Sequence, residues 1–272
     1  MDSVLGAFRV FFGGLFSLLE SWPPIVSLAL ISLLVGIAML WVFRRVSNQE
    51  AILQTKKRLT AHLYELRLFA DEPRLIWRAQ KGLLLGNLRY LGLMTVPAII
   101  LTVPIILLLV QLEAFYGQEP LAVGKPAIVT VRMKGAIDVR APSPELEAPT
   151  GIAVETPTVR VLSERQFSWR IRPLREVSEN LRVVFPNTVF EKSVDSGHGP
   201  RYLSVRRAGS LLDRLLYPAE RRISEGAIEW IEVRYPAAEV WLWGLGFHWL
   251  VWFIVISLAS AWLLRKRFGV TL

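Results

Sequence analysis

The chain has 272 residues, a formal net charge of +9, three histidines and no cysteine. Hydrophobic residues make up 53% of it, charged residues 20%, and the mean hydropathy is +0.39, which is high for a water-soluble domain and points to a membrane protein. The lack of cysteine excludes a disulfide framework, a thiolate metal site and a cysteine nucleophile, and three scattered histidines argue against a His-rich metal site.

Residues 1–24 open with an apolar stretch, 4–19, broken by Arg9 and Gly13-Gly14. It has neither a basic leader nor a small-residue cleavage site, so it reads as a helix lying on the outer membrane surface rather than a signal peptide. Three uncharged apolar stretches then meet the roughly 20 residues that a bilayer-crossing helix needs. They are 25–43, entered through Pro23-Pro24, then 91–110, then 240–264.

Between the first two lies a basic segment, 44–90, with ten Lys or Arg against four acids. Ile52, Leu59 and Leu66 recur every seven residues, with Leu63 and Ala70 between them and Lys56, Lys57, Arg58 and Glu65 on other faces. That pattern predicts an amphipathic helix of coiled-coil character. Asp71-Glu72-Pro73 breaks it, because proline restricts the residue before it and starts a new helix well. A second helix from about residue 74 to 90 then packs Leu75, Ile76, Ala79, Leu83 and Leu84 back on the first. The hairpin is either a solvated connector or a basic arm that attracts acidic lipid or RNA.

Residues 111–239 change character, with eighteen basic and seventeen acidic residues and short alternating apolar runs. Candidate strands are 127–134, 151–154, 158–162, 167–171, 181–185, 188–191, 202–205 and 227–234. Breakers separate several of them: Pro142, Pro144, Pro149, Pro186-Asn187, Ser196-Gly197 and Gly199-Pro200. The spacing predicts an antiparallel sandwich of immunoglobulin-like type. A short helix near 210–217 carries Leu211, Leu212, Leu215 and Leu216 on one side. The tail, 265–272, begins Arg265-Lys266-Arg267.

Lys and Arg favour the cytoplasmic side of a membrane protein, which places 44–90 and 265–272 inside and 1–24 and 111–239 outside. Trp22, Trp241 and Trp243 then belong at the outer interface and Trp41 and Trp262 at the inner one, where an indole meets both lipid and water. The expected fold class is an α-helical membrane protein with three transmembrane helices, a cytoplasmic helical hairpin and an inserted extracytoplasmic all-β domain.

Little in the sequence points to catalysis. Asp195, Ser196 and His198 are close in sequence, but hydrolase triads converge from separate elements, and the glycines here read as a turn. No GxSxG, GxxxxGK[ST] or HExxH pattern occurs. The chain is therefore read as a non-enzyme, with no catalytic, cofactor or metal residue assigned. His248 is the one ionisable side chain expected within a span, and is either functional or a hydrogen-bonding partner between helices. Pro97 and Pro104 should bend the second span, with Thr95 and Thr102 helping to satisfy freed carbonyls. Ser27, Ser32, Ser257 and Ser260 line a hydrated groove or serve helix packing.

Three stretches carry a family resemblance. Residues 31–52 (ISLLVGIAMLWVFRRVSNQEAI) resemble a first span running into a coiled coil. Residues 86–109 (GNLRYLGLMTVPAIILTVPIILLL) resemble the entry to a second span, and 248–270 (HWLVWFIVISLASAWLLRKRFGV) a last span with its basic tail. With the topology, this resembles the Oxa/YidC insertase superfamily. The likeness is to its three-span branch of archaeal YidC-like proteins, the insertase subunit of the ER membrane protein complex and the Get receptor subunit. The resemblance implies insertion of membrane segments without ATP, through a groove open to cytoplasm and lipid, in a prokaryotic plasma membrane. It implies as partners membrane lipid, hydrophobic clients or nascent chains, and the ribosome or translocon. The family's groove often holds a positive residue. Here no Lys or Arg lies in a span, and Arg44, Arg45 and Arg89 at the cytoplasmic mouth are the nearest substitutes, with Thr95, Thr102, Ser257 and Ser260 as further groove candidates. The outer domain replaces a link that is usually short in the family. It supports a second reading, an assembly subunit that binds an extracytoplasmic protein; a transporter is a third.

Overall fold

A computed structural model describes residues 2–69, 71–186, 188–223 and 226–270. Ala70 and Asn187 lie outside the described residues, as do the side chains of Arg9 and Leu211. The chain divides into two compact units, Met1–Ser27 with Leu107–Trp249, and Leu28–Ile106 with Leu250–Leu272.

The helices follow hydropathy, with altered ends. The N-terminal stretch forms α1 (Asp2–Leu19). The first predicted span becomes α2 (Pro24–Val46), which starts on a proline whose missing N–H would be unpaired in a first turn anyway. Next comes α3 (Gln49–Leu68), capped by Asn48, whose side-chain oxygen accepts from the Ala51 N–H at 3.0 Å. The break at Asp71-Glu72 is present, and α4 (Pro73–Tyr116) begins on Pro73. It does not stop between the predicted second helix and span: it is one helix of 44 residues, roughly 66 Å of rise. α2 and α4 are both long and apolar enough to cross a membrane.

The third apolar stretch corrects the expectation of one helix over 240–264. Residues 240–247 form a β-hairpin, and only Trp249–Leu264 is helical, sixteen residues. Hydropathy is blind to this difference. The run VWLWGLGF is rich in aromatics and glycine, and Trp243 and Gly244 both take positive φ (51° and 81°), which a tight two-residue hairpin turn demands.

In the helical unit, α3 and α4 meet where glycines leave room. A Cβ on Gly82 would touch the His62 ring and one on Gly86 the Leu59 side chain. Ile52, Thr55 and Ala79 are buried, and Leu59, Leu66, Leu75, Ile76 and Leu83 are half-buried. The hairpin reading needs corrections on both helices: Leu63 of the heptad and Leu84 of the second helix are exposed, and the buried neighbour of Ile52 on α3 is Thr55, three residues on. An i, i+3 seam turns Leu63 outward.

The β region holds two antiparallel sheets. One contains β1 (Ala127–Met133), β3 (Ile152–Val154), β4 (Val159–Val161), β5 (Gln166–Pro173), β8 (Arg206–Ala208) and β9 (Ile228–Val233). Its order is β3-β5-β1-β9-β8, with β4 also on β5. The other sheet is β2 (Glu145–Glu147), β6 (Val177–Phe185) and β7 (Thr188–Ser196), in the order β2-β6-β7. Alternation places Val129, Val131, Phe167, Trp169 and Ile171 of the first sheet, and Leu181, Val183, Phe190 and Val194 of the second, in one apolar core. The strand expected at 202–205 is instead β8, a few residues later, and β2 lacks a long enough apolar run to be seen in sequence. The short helix is α5 (Leu211–Leu216), capped by Ser210, whose hydroxyl accepts from the Asp213 N–H. Leu212 and Leu216 on it are exposed. The hairpin strands are β10 (Val240–Leu242) and β11 (Leu245–Phe247), and they lead into α6 (Trp249–Leu264).

Candidate functional site

The residues singled out for a groove sit in the helical unit. Arg44, Arg45 and Arg89 are exposed, and the Arg45 guanidinium lies 5.2 Å over the Trp41 ring. Arg265 lies over Trp262 at the same distance, so both basic helix ends carry a cation on an indole. Thr95 and Thr102 are exposed on α4, and their hydroxyls donate to Leu91 O and Ala98 O, both at 2.8 Å. Those are not the acceptors anticipated. Pro97 and Pro104 remove the N–H groups that would reach the Leu93 and Ile100 carbonyls, so the threonines make ordinary back-bonds. The two prolines also differ in setting, Pro97 buried and Pro104 exposed.

Ser257 and Ser260 are buried, not groove-lining. Their hydroxyls donate to Ile254 O and Ser257 O, and α2 crosses them at Gly36. A Cβ on Gly36 would come within 2.1 Å of Ser260 Oγ and 2.8 Å of Ser257 O, so glycine permits the crossing. Ser32 on α2 is buried as well and donates to Leu28 O. The apolar window of α4 is only 6% buried, against 28% for α2. Val96, Ile99, Ile100, Val103 and Ile106 form its open face.

The other unit holds an aromatic cluster around the end of α4, which sequence reading missed. Phe16 stacks on Phe115 (centroids 4.6 Å) and on Tyr202 (5.5 Å). The Tyr116 hydroxyl donates to Ser27 Oγ at 2.8 Å, the Tyr202 hydroxyl to Gln111, and the Trp249 indole N–H to Glu113 at 2.8 Å. His248 precedes α6 rather than lying inside it, and its Nε2 is 3.8 Å from Glu113. The signal present in the sequence was Gln111 and Glu113, polar residues directly after the apolar run, which accept from Tyr202 and Trp249.

Within the β region, Asp195, Ser196 and His198 do not converge. Ser196 Oγ is buried, accepts from the Val177 N–H and donates to Arg175 O. Asp195 accepts from the Ser178 hydroxyl, and His198 lies exposed beside Glu176 at 3.1 Å. Gly197 and Gly199 take positive φ (140° and 84°), as a turn there requires. The strongest electrostatic feature is elsewhere. Lys192 has no exposed surface, and its ammonium donates to Glu220 (2.8 Å), Ser204 O (2.6 Å), Ser204 Oγ (2.9 Å) and Ser193 O (3.1 Å). Burial pulls its proton affinity below the ordinary lysine value, and Glu220 partly restores it. Burial alone would raise the Glu220 carboxyl. Lys192 and the hydrogen bonds from Ser204 and the Ser193 N–H win, and hold it below the usual value. Lys and Ser beside each other resemble a base and nucleophile, but here the Lys192 side chain is paired with Glu220 and the buried Ser204 hydroxyl donates to the same carboxylate.

A cleft of about 660 Å³ opens in the same unit, lined by Phe115, Tyr116, Pro120, Lys125, Tyr235 and Pro236 among others. Burial also pushes the Tyr235 phenol up, aided by the nearby Asp195 charge. Among the described residues, no group of three metal-binding side chains occurs. No family model, curated protein or solved structure matches the chain.

Proposed function

We propose that the chain is an integral membrane protein that moves client segments into the bilayer without ATP, an insertase or insertion factor of the Oxa/YidC kind. In this reading the N-terminus is outside, the α3–α4 hairpin and C-terminus are cytoplasmic, and the membrane is a prokaryotic plasma membrane. The observation that carries it is α4. One unbroken helix bears Arg74, Arg78, Lys81 and Arg89 in its first half and an apolar face in its second that is almost wholly uncovered. A client segment entering beside that face meets cationic side chains first and an apolar surface next. Carrying a charge to the bilayer centre costs about 2.5–3.5 kcal/mol on insertion scales, which is the barrier such a path must lower. Ribosome, translocon and nascent chains are the partners of the basic arm.

The test is reconstitution in liposomes with a single-span client, with a photo-cross-linker in place of Thr102. Faster insertion than in empty liposomes and capture of the client support the reading. Insertion no better than in empty liposomes, with no capture, removes it.

A second reading, an assembly subunit, is favoured by the β region having its own core. Two sheets sharing one core also support the proposal that this region is immunoglobulin-like. Deleting residues 120–235 separates the readings. An assembly subunit loses its extracytoplasmic partner, whereas an insertase keeps its clients.

A further inference from the structure

The hairpin β10–β11 has an unusual composition for an exposed element. Residues 240–247 contain no charged and no hydrogen-bonding side chain other than two indoles. Trp241, Trp243, Leu245 and Phe247 are all exposed, and Trp243, at the turn, is 92% exposed. The hairpin is well formed. Val240 pairs with Phe247, Trp241 with Gly246 and Leu242 with Leu245. The Trp241 ring and the carboxylate of Glu239, the residue before the hairpin, both lie against Gly246, where a Cβ would come within 2.7 Å of each, so glycine there lets the indole cover the ribbon.

Helix length supplies the second observation. α6 has sixteen residues, about 24 Å of rise, whereas the hydrocarbon core of a bilayer is about 30 Å thick. Arg265, Lys266 and Arg267 follow its last residue directly, so the chain cannot extend the apolar depth on that side. The shortfall of about 6 Å therefore falls to the residues before Trp249, which are the exposed His248 and then this hairpin, with arms of about 10 Å each. A two-stranded ribbon pairs only its inner backbone groups, which keeps it out of the dry centre of the bilayer. At headgroup depth water reaches its edges, and indoles favour that depth because they combine an apolar ring with one N–H donor.

We infer that residues 240–247 form a lipid-binding wedge, seated at the boundary between headgroups and acyl chains of the outer leaflet, with Trp243 and Leu245 as its contact residues. The inference rests on the membrane reading above. It differs from it in assigning lipid, not solvent, a second copy or a protein, as the occupant of this surface.

The chain has no cysteine, so single cysteines can be introduced and labelled without other changes. Trp243→Cys, Leu245→Cys, Ile100→Cys on α4 and Leu174→Cys in the β region are each labelled with an environment-sensitive fluorophore. The full chain is then reconstituted in phosphatidylcholine–phosphatidylglycerol vesicles. Quenching is read with nitroxide lipids labelled near the headgroup or near the chain end, and with aqueous iodide. Labels at 243 and 245 should be blue-shifted and quenched most by the headgroup-side nitroxide, the label at 100 by the deep nitroxide, and the label at 174 by iodide alone. Leu245→Cys guards against strain from replacing the residue at positive φ. If 100 responds as expected but 243 and 245 are quenched mainly by iodide, or by neither reagent, the wedge is overturned and the membrane reading stands. If 100 is not quenched by lipid nitroxide, both fail.

Discussion

The buried pair of Lys192 and Glu220 should respond unequally to removal of either partner. Glu220→Gln leaves an ammonium with no exposed surface and only neutral acceptors, Ser193 O, Ser204 O and Ser204 Oγ. Breaking a buried pair this way costs about 3–5 kcal/mol. Lys192→Met leaves Glu220 with the Ser204 hydroxyl, the Ser193 N–H and Arg207 at 4.0 Å, on a side chain still 15% exposed. It should sit at or below the lower end of that range. Because 1.4 kcal/mol is tenfold, Glu220→Gln should cut amide-exchange protection along β6 and β7 by between about a hundred- and a few-thousand-fold, measured by mass spectrometry on the detergent-solubilised chain. Lys192→Met with Glu220→Leu should recover much of the loss, since apolar replacement of a buried pair is often near neutral. The pH dependence follows from Glu220. Its folded value is depressed, so its contribution is complete above the ordinary carboxyl value of 4.5 and fades as pH falls through the lower folded value. Glu220→Gln should flatten that acid-side loss. Equal or milder damage from Glu220→Gln than from Lys192→Met, or less than tenfold from Glu220→Gln, would refute the reasoning.

Other substitutions test packing and the turn. Gly36→Ala should lower the melting temperature in detergent, by overpacking worth about 1–3 kcal/mol, because Ser257 O is backbone and cannot yield. Gly86→Ala should be tolerated, because only the flexible Leu59 side chain must move. Ile52→Gln should destabilise the α3–α4 hairpin, whereas Leu63→Gln on its exposed side should leave the melting temperature unchanged. Ser196→Ala removes a buried hydroxyl that serves Val177 N and Arg175 O, and should cost about 1–3 kcal/mol in chemical denaturation while client insertion persists. Abolished insertion with unchanged stability would contradict the turn reading.

The helical layout was legible in sequence wherever one signal sufficed. Proline at 24 and 73 starts helices at those residues, and Asn48 and Ser210 cap where cap residues belong. Alternation predicted the positions of β1, β5 and β9. The same rule, carried along β7, places Phe190, Lys192, Val194 and Ser196 on one inward face. Ending that strand early, at residue 191, hid the buried lysine. Its acid partner lies 28 residues away, a pairing that no local pattern encodes.

Of the groove candidates, the arginines and threonines are exposed as their polarity suggests, while Ser257 and Ser260 are buried by the approach of Gly36. That approach depends on a helix crossing, not on the serines. Composition alone determined the +9 charge, and residue order alone determined its concentration in the basic arm and tail and the presence of three apolar stretches, because each is a sum over the whole chain or over a contiguous window. Tertiary structure decided that the third stretch is part hairpin and part helix. Hydropathy weighs the side chains of VWLWGLGF alike in strand or helix. The outcome turns on a two-residue turn at positive φ and on an indole laid over glycine across the strand, contacts that exist only once the chain has folded back on itself.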